Sequence, residues 1–266
     1  MIKQHYDFLG AIVGDIIGSY YEANPTKELF FPLFPEGARF TDDTVLTLAV
    51  AKWLISDSCH TYDALIKCFR EVCFLYPRQG YGWNFWRWLK SNQPLPYNSW
   101  SNGSAMRVSP IGLYASNLDE TLKLAKISAE VTHNHPDGIK GAQAIAASVF
   151  LCKNGSSKED IREYVENTFG YNLHRTIDEI RPTYKFDVSC NGSVPEAIIA
   201  FMDGNGFEEV IRLAISLGGD ADTLAAMAGS IAACRYPIPN DMKTFCERLL
   251  PKDLCSIQKD LNNKLV

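Results

Sequence analysis

Apolar residues recur along this chain with the spacing of helices. Tyr62, Leu65, Ile66, Phe69, Val72 and Tyr76 follow the i, i+3, i+4, i+7 rule and mark one helix face. Leu118, Leu122, Ala125 and Ala129 do the same, as do Phe207, Val210, Ile211, Ala214 and Leu217. Residues 141–151 and 224–234 are apolar almost all round, which predicts helices at the centre of a bundle. Alternation with a period of two is nearly absent; residues 184–188 are the one short strand candidate, and we read them as loop. Breakers separate the helical segments. Residues 25–39 carry three prolines and Gly37, residues 91–103 carry Pro94 and Pro96, and residues 169–193 form a third loop. These loops precede chemically loaded segments, where functional loops are expected. The pattern predicts one all-α domain over residues 1–266, a compact orthogonal helical bundle without internal repeats.

Composition adds limits to that picture. With 46% hydrophobic and 21% charged residues, the chain reads as an ordinary soluble globular protein able to bury its core without staples. A net charge of −5 argues against a broad nucleic-acid footprint. The eight cysteines never form a Cys-x-x-Cys pair, so they read as reduced thiols of a cytoplasmic protein. The apolar run at residues 8–21 is broken by Asp15 and lacks a basic leader, which makes it a poor signal peptide. No uncharged apolar stretch approaches a membrane span, so no membrane partner is expected.

The candidate chemistry lies in two acidic clusters, Thr41-Asp42-Asp43 and Asp220-Ala221-Asp222-Thr223, each just ahead of an apolar run. Clustered carboxylates repel and lose solvation, so they are tolerated where something positive sits between them. Oxygen-only ligands suit hard divalent cations such as Mg²⁺ or Mn²⁺. Taken singly, each cluster reads as a helix N-cap. Taken together, and with the Gly218-Gly219 turn that a simple cap does not need, they predict a central two-metal site.

Other motifs divide between packing and chemistry. Gly10, Gly14 and Gly18 fall at four-residue spacing and predict close helix–helix contact rather than a nucleotide loop, since no strand precedes them. Glu22 ends that helix, where its carboxylate could swing over a site or stay solvated. Asn102-Gly103-Ser104 offers backbone N–H groups and a hydroxyl that could cradle phosphate or simply cap a helix. Arg107 could pair with an internal carboxylate. Thr132-His133-Asn134-His135 holds two of five histidines and invites a ligand-contact reading. Glu130-x-x-His133 is half of a di-iron pattern, and no other histidine supplies the second half. The aromatic run at residues 81–88 reads as core or interface rather than base-stacking surface.

In this order the segments resemble the ADP-ribosylglycohydrolase family. The matching residues are Gly14-Asp15-x-x-Gly18-x-x-x-Glu22, Phe40-Thr41-Asp42-Asp43-Thr44, Asn102-Gly103-Ser104-Ala105-Met106-Arg107 and Thr132-His133. Gly192-Ser193-Val194-Pro195-Glu196-Ala197 and Leu217-Gly218-Gly219-Asp220-x-Asp222-Thr223 complete the set. The resemblance implies an all-helical fold with two Mg²⁺ or Mn²⁺ ions held by Thr41, Asp42, Asp43, Asp220, Asp222 and Thr223. It places Glu22 on a flap beside the metals, and Gly103, Ser104 and His133, with Asn102, against ADP-ribose. Ala221 and Ser101 depart from the residues common in relatives, and neither removes a metal ligand.

The activity expected on that resemblance is metal-dependent hydrolysis of the glycosidic bond between ADP-ribose and a modified protein or small conjugate. Glu22 or Asp43 would take the proton of the attacking water. Two other readings stay open at this stage: a metal-dependent phosphoester hydrolase on a helical scaffold, and an ADP-ribose reader without turnover.

Overall fold

A computed structural model describes residues 8–265. Among them fourteen α-helices form and no strand; the backbone at Ser101 and Ser189 makes one isolated antiparallel bridge. A long loop separates α1 (Gly10–Ala23) from α2 (Asp42–Ser56), and α3 (Tyr62–Cys73), α4 (Trp83–Leu89), α5 (Ser109–Tyr114) and α6 (Leu118–Glu130) follow. Next come α7 (Pro136–Lys153), α8 (Lys158–Phe169), the single turn α9 (Ile177–Ile180) and α10 (Cys190–Asp203). The chain ends in α11 (Phe207–Ile215), α12 (Ala221–Ala232), α13 (Asn240–Leu249) and α14 (Lys252–Leu265).

Every residue of α12 is buried, as its all-round apolar sequence requires, and it packs against α1, α7, α10 and α11. The most extensive of these contacts is with α1, and the glycine stripe makes it. A Cβ on Gly14 would stand 2.1 Å from the Ala225 carbonyl oxygen, and one on Gly18 would stand 2.6 Å from that of Ala221. Gly10 and Gly229 face each other in the same seam. No side chain fits there, so the two backbones lie against one another. This contact brings Asp15 of α1 to the N-terminal end of α12. One continuous apolar cluster, from Phe8 to Leu261, surrounds that pair.

The helical pattern expected from sequence appears, with local differences. Helix α3 buries Leu65, Phe69 and Val72 but stops at Cys73, leaving Tyr76 beyond it and Tyr62 exposed. On α6 the buried face runs through Thr121, Leu124, Ala125, Ser128 and Ala129, not Leu118 and Leu122. Thr121 enters the interior because its hydroxyl donates to the Asn117 carbonyl at 2.8 Å, which satisfies the polar atom locally. The segment 169–193 is only partly loop: it holds α9, and α10 already begins at Cys190. Residues 184–188 form no strand, as expected.

Candidate functional site

The N-terminal ends of α2 and α12 meet where α1 crosses them. Thr41 caps α2, its side chain accepting from the Asp43 N–H at 3.2 Å. The wholly buried Asp15 sits beneath that cap. It accepts from the Thr41 hydroxyl at 2.6 Å, from the Thr41 N–H at 2.9 Å and from the Thr44 N–H at 3.1 Å. The Thr44 hydroxyl donates to it as well. Asp15 therefore ties α1 to the first turn of α2 and fixes where Asp43 points. On the other side Asp220 precedes α12 but makes no side-chain cap bond to it. It accepts instead from Asn102 Nδ2 at 2.7 Å. A cap role alone thus explains Thr41 and fails for Asp220.

The carboxylates form two overlapping groups. Oxygens of Asp15, Asp43 and Asp222 lie within 4.8 Å of one another, and so do those of Glu22, Asp220 and Asp222. Asp222 belongs to both. Asp42 lines the same cleft outside either group. Thr223 donates from Oγ1 to Asp43 Oδ2 at 3.2 Å, leaving Asp43 Oδ1 buried without a hydrogen-bond partner among the described residues. An acceptor so placed costs free energy unless a cation or donor reaches it. The donor set is all oxygen, it carries several negative charges, and one buried oxygen lacks a partner. That set fits hard divalent cations.

Electrostatics reflect the crowding. Burial raises the Asp43 carboxyl well above its usual range, and Asp15, Asp42 and Asp220 add to the shift. Burial likewise raises Asp222 strongly, reinforced by Asp43 and Asp220. Asp42 is pushed to about 8, chiefly by desolvation and then by Asp15. Asp15 and Asp220 are raised by burial, against the hydrogen bonds they accept. Glu22, exposed beside the cleft, is raised by desolvation and by Asp220, with Arg39 opposing.

These groups open into a cleft of about 390 Å³. Glu22, Thr41, Asp42, Asp43, Asn102, Gly103, His133, Asp220, Asp222 and Thr223 all line it, so the two acidic clusters and the residues expected to bind substrate share one space. Ser104 does not line it: the residue is fully buried and its hydroxyl donates to the Gly138 carbonyl at 2.7 Å. A Cβ on Gly103 would approach His133 Nε2 to 3.0 Å, so the missing side chain lets the turn rest on the imidazole. His133 lines the cleft, whereas His135 caps α7 by accepting from the Asp137 N–H at 3.1 Å. Among the described residues Arg107 has no carboxylate partner; it donates to Ser128 O and Thr132 Oγ1. The aromatic run splits, with Phe85 and Trp88 buried and Trp83 70% exposed on the cleft wall.

Sequence reasoning left Asp15 without a role. A lone Asp among glycines looked like a break in an apolar run, and only its position opposite the Thr41–Thr44 turn reveals its part. Arg39, Tyr97 and Phe186 also line the cleft, each from a loop whose path no periodicity foretells.

The ADP-ribosylglycohydrolase family model matches residues 8–265. Human ADP-ribosylhydrolase ARH3 is 27% identical over 316 residues, covering 90% of this chain and 87% of that protein. The ADP-ribosylarginine hydrolase Tri1 of Pseudomonas putida is 26% identical over 282 residues, covering 91% and 72% respectively. A solved structure titled ADP-ribosylglycohydrolase-related protein complex superposes with a TM-score of 0.75 at 25% identity, covering 99% of this chain and 98% of its own. With its fold, its convergent acidic clusters and this match over nearly the whole length, the chain belongs to the ADP-ribosylglycohydrolase family.

Proposed function

We propose that the cleft holds two divalent cations, Mg²⁺ or Mn²⁺, in an enzyme that hydrolyses the glycosidic bond linking ADP-ribose to an acceptor. One observation carries the two-ion reading: Asp222 belongs to both carboxylate groups and would serve both ions, while Asp43 Oδ1 lies buried without a hydrogen-bond partner among the described residues. Asp43 and Asp222 would hold one ion with Asp15 beside them. Asp220 and Asp222 would hold the other, with Asp42, Thr41 and Thr223 completing the oxygen set. Bound there, such ions supply charge stabilisation, a template for the ribose hydroxyls and activation of water.

The chain's own groups do the rest. Cleavage passes through an oxocarbenium-like state and needs a positioned nucleophile. Glu22 or Asp43 would take the proton of the attacking water, a step worth ~10²–10⁴ in rate. Asn102 holds Asp220 in place, and Gly103 and His133 offer the cleft wall on which the diphosphate and ribose rest. Ser104, through Gly138, pins the turn that carries them. Binding energy from the remote diphosphate then aligns the reacting carbon.

The substrate would be an ADP-ribosylated protein or a small ADP-ribose conjugate, the chemistry that the names of the relatives describe. No helix among the described residues is long and apolar enough to cross a membrane. All eight cysteines are free thiols, which suits a cytoplasmic setting. The test is incubation with ADP-ribosyl-arginine and ADP-ribosyl-serine peptides, with and without chelator, and identification of products by mass. Free ADP-ribose formed only with Mg²⁺ or Mn²⁺ supports the reading. Release undiminished by chelator, or no release from any conjugate, would overturn it.

A further inference from the structure

The carboxylate of Glu22 stands where its own bonding does not hold it. One of its oxygens lies within 4.8 Å of an oxygen of Asp220 and one of Asp222. Both neighbours are carboxylates, and among the described residues Glu22 makes no hydrogen bond or ion pair. It is the last residue but one of α1, so the loop that follows decides where it is held. That loop touches the rest of the chain at few points. Downstream, Arg212 of α11 donates from Nη1 to the carbonyls of Leu29 at 3.1 Å and Phe31 at 2.9 Å. Closer to Glu22, among the described residues 24–28, only Lys27 reaches another element by hydrogen bonds.

Lys27 joins three segments. Its ammonium donates to the Tyr184 carbonyl at 2.8 Å and to the Leu217 carbonyl, just past the end of α11. Its stem crosses Gly218, where a Cβ would stand 3.3 Å from Lys27 Cε and 3.0 Å from the Thr26 carbonyl oxygen. Gly218 has a φ of +63°, so it supplies both the left-handed turn and the space. Gly219 makes room for Tyr184 in the same way, since a Cβ there would meet its ring at 2.5 Å. The Tyr184 phenol donates to the Gly192 carbonyl of α10 at 2.8 Å. Arg181, from the same segment, donates to Ser216 Oγ at 2.9 Å. The Gly218-Gly219 turn, which a helix cap does not require, is thus the bed on which the Lys27 and Tyr184 segments lie. Asp220 follows it directly.

We propose that Lys27 is a positioning residue that clamps the Glu22 segment, residues 184–188 and the turn at residues 218–220 to one another, keeping the Glu22 carboxylate beside Asp220. Lys27 does not line the cleft, whereas Glu22, Phe186, Val188 and Asp220 do. Two carbonyls on separate segments need one donor that serves both, and an ammonium has three N–H groups and a charge that strengthens each bond. The consequence for turnover rests on Glu22 as the proposed proton acceptor; the clamp itself does not.

Hydrogen exchange in metal-free protein reads the clamp without any substrate. The amides of Asn24, Tyr184 and Gly218 each bond within their own segment, to the carbonyls of Tyr20, Ile180 and Ile215. Lys27→Met keeps the stem and removes the donor. It should speed exchange at these three amides about tenfold, the size of one hydrogen bond to a charged group, and leave Leu224 of α12 unchanged. Lys27→Arg, whose fork can serve both carbonyls, should restore protection. Unchanged exchange in Lys27→Met overturns the clamp. Turnover of an ADP-ribosyl conjugate reads the positioning. Lys27→Met should lower kcat about tenfold at unchanged KM, and should add nothing in a Glu22→Gln background. An unchanged kcat, or an equal fall in both backgrounds, overturns the positioning of Glu22. Wild-type protein that releases no ADP-ribose would instead refute the proposed function, with the exchange result still standing for or against the clamp.

Discussion

The two ends of the cleft are built on opposite principles. At one end, carboxylates from α1, α2 and α12 crowd together, raise one another's pKa and leave Asp43 Oδ1 without a partner. At the other, Arg107, Thr132, His133 and Ser101 are joined by hydrogen bonds in a row, with a buried histidine in the middle that its surroundings hold neutral. The acidic end gathers unmatched acceptors until something positive arrives, whereas the spare capacity of the hydrogen-bonded end is in donors, with Arg107 Nε and Nη1 lacking hydrogen-bond partners among the described residues. Substitutions should therefore separate. Those at the acidic end should change chemistry and relieve repulsion, and those at the other end should change binding and order.

Asp222→Asn breaks that contrast most sharply. Its carboxylate belongs to both acidic groups, so its loss should lower kcat by at least ~10³-fold, the several kcal/mol that bound metal contributes to charge stabilisation. The metal-free variant should nonetheless melt at a higher temperature than metal-free wild type, because a buried like charge is gone. A companion pH dependence follows. Carboxyls whose folded pKa exceeds the unfolded value contribute stability at low pH, and that stability is lost as pH rises through the folded value. Metal-free wild type should therefore melt higher in mildly acid buffer than above about pH 8, the value to which Asp42 is raised. Mg²⁺ or Mn²⁺ should flatten that slope. Calorimetric melts across pH, with and without chelator, read both effects; a flat metal-free profile would remove the electrostatic account of this end.

Gly14→Ala tests what brings the acidic end together. Its Cβ would meet the Ala225 carbonyl at 2.1 Å, and the obstacle is backbone, so the helices must separate. The expected loss is about 3 kcal/mol, at the upper end for overpacking. Metal affinity should fall with it, since Asp15 and Asp222 stand on the two helices being parted. Denaturant unfolding and metal titration measure the pair of effects. A variant as stable as wild type would mean the seam is looser than its geometry.

Glu22→Gln should lower kcat by ~10²-fold with little change in KM, because a general base acts on the water and not on substrate affinity. Steady-state kinetics on a competent ADP-ribosyl conjugate decide it, and a rise in KM at unchanged kcat would move Glu22 from proton acceptor to binding group.

How much of this was readable beforehand depended on how local the signal was. The acidic clusters stood out because several carboxylates within a few residues have few uses, and the periodic apolar faces gave the helices. The glycine stripe announced close packing because its spacing repeats along one helix face. Asp15 escaped because its role lies across the α1–α2 crossing, against hydroxyls and N–H groups 26 and 29 residues away in sequence. Arg107 misled for a related reason: a buried cation suggests a carboxylate, yet its partners are a carbonyl and a hydroxyl on and just after α6. The face of α6 was misjudged because Thr121 and Ser128 look polar in sequence while folding lets them sit inside.

Ser104→Ala is the smallest and most discriminating change, because this residue lies beside the cleft without entering it. Its hydroxyl holds the Gly138 carbonyl at the start of α7, and its backbone carries the turn between Gly103 and Met106. Removing the hydroxyl leaves a buried carbonyl with one bond fewer, a loss of about 1 kcal/mol. If the turn relaxes, KM for the conjugate should rise about fivefold, matching that energy, while kcat stays constant because the acidic end is untouched. Should kcat fall instead, the two ends would be mechanically linked through the Asn102–Asp220 hydrogen bond, and their separation would fail at that bond.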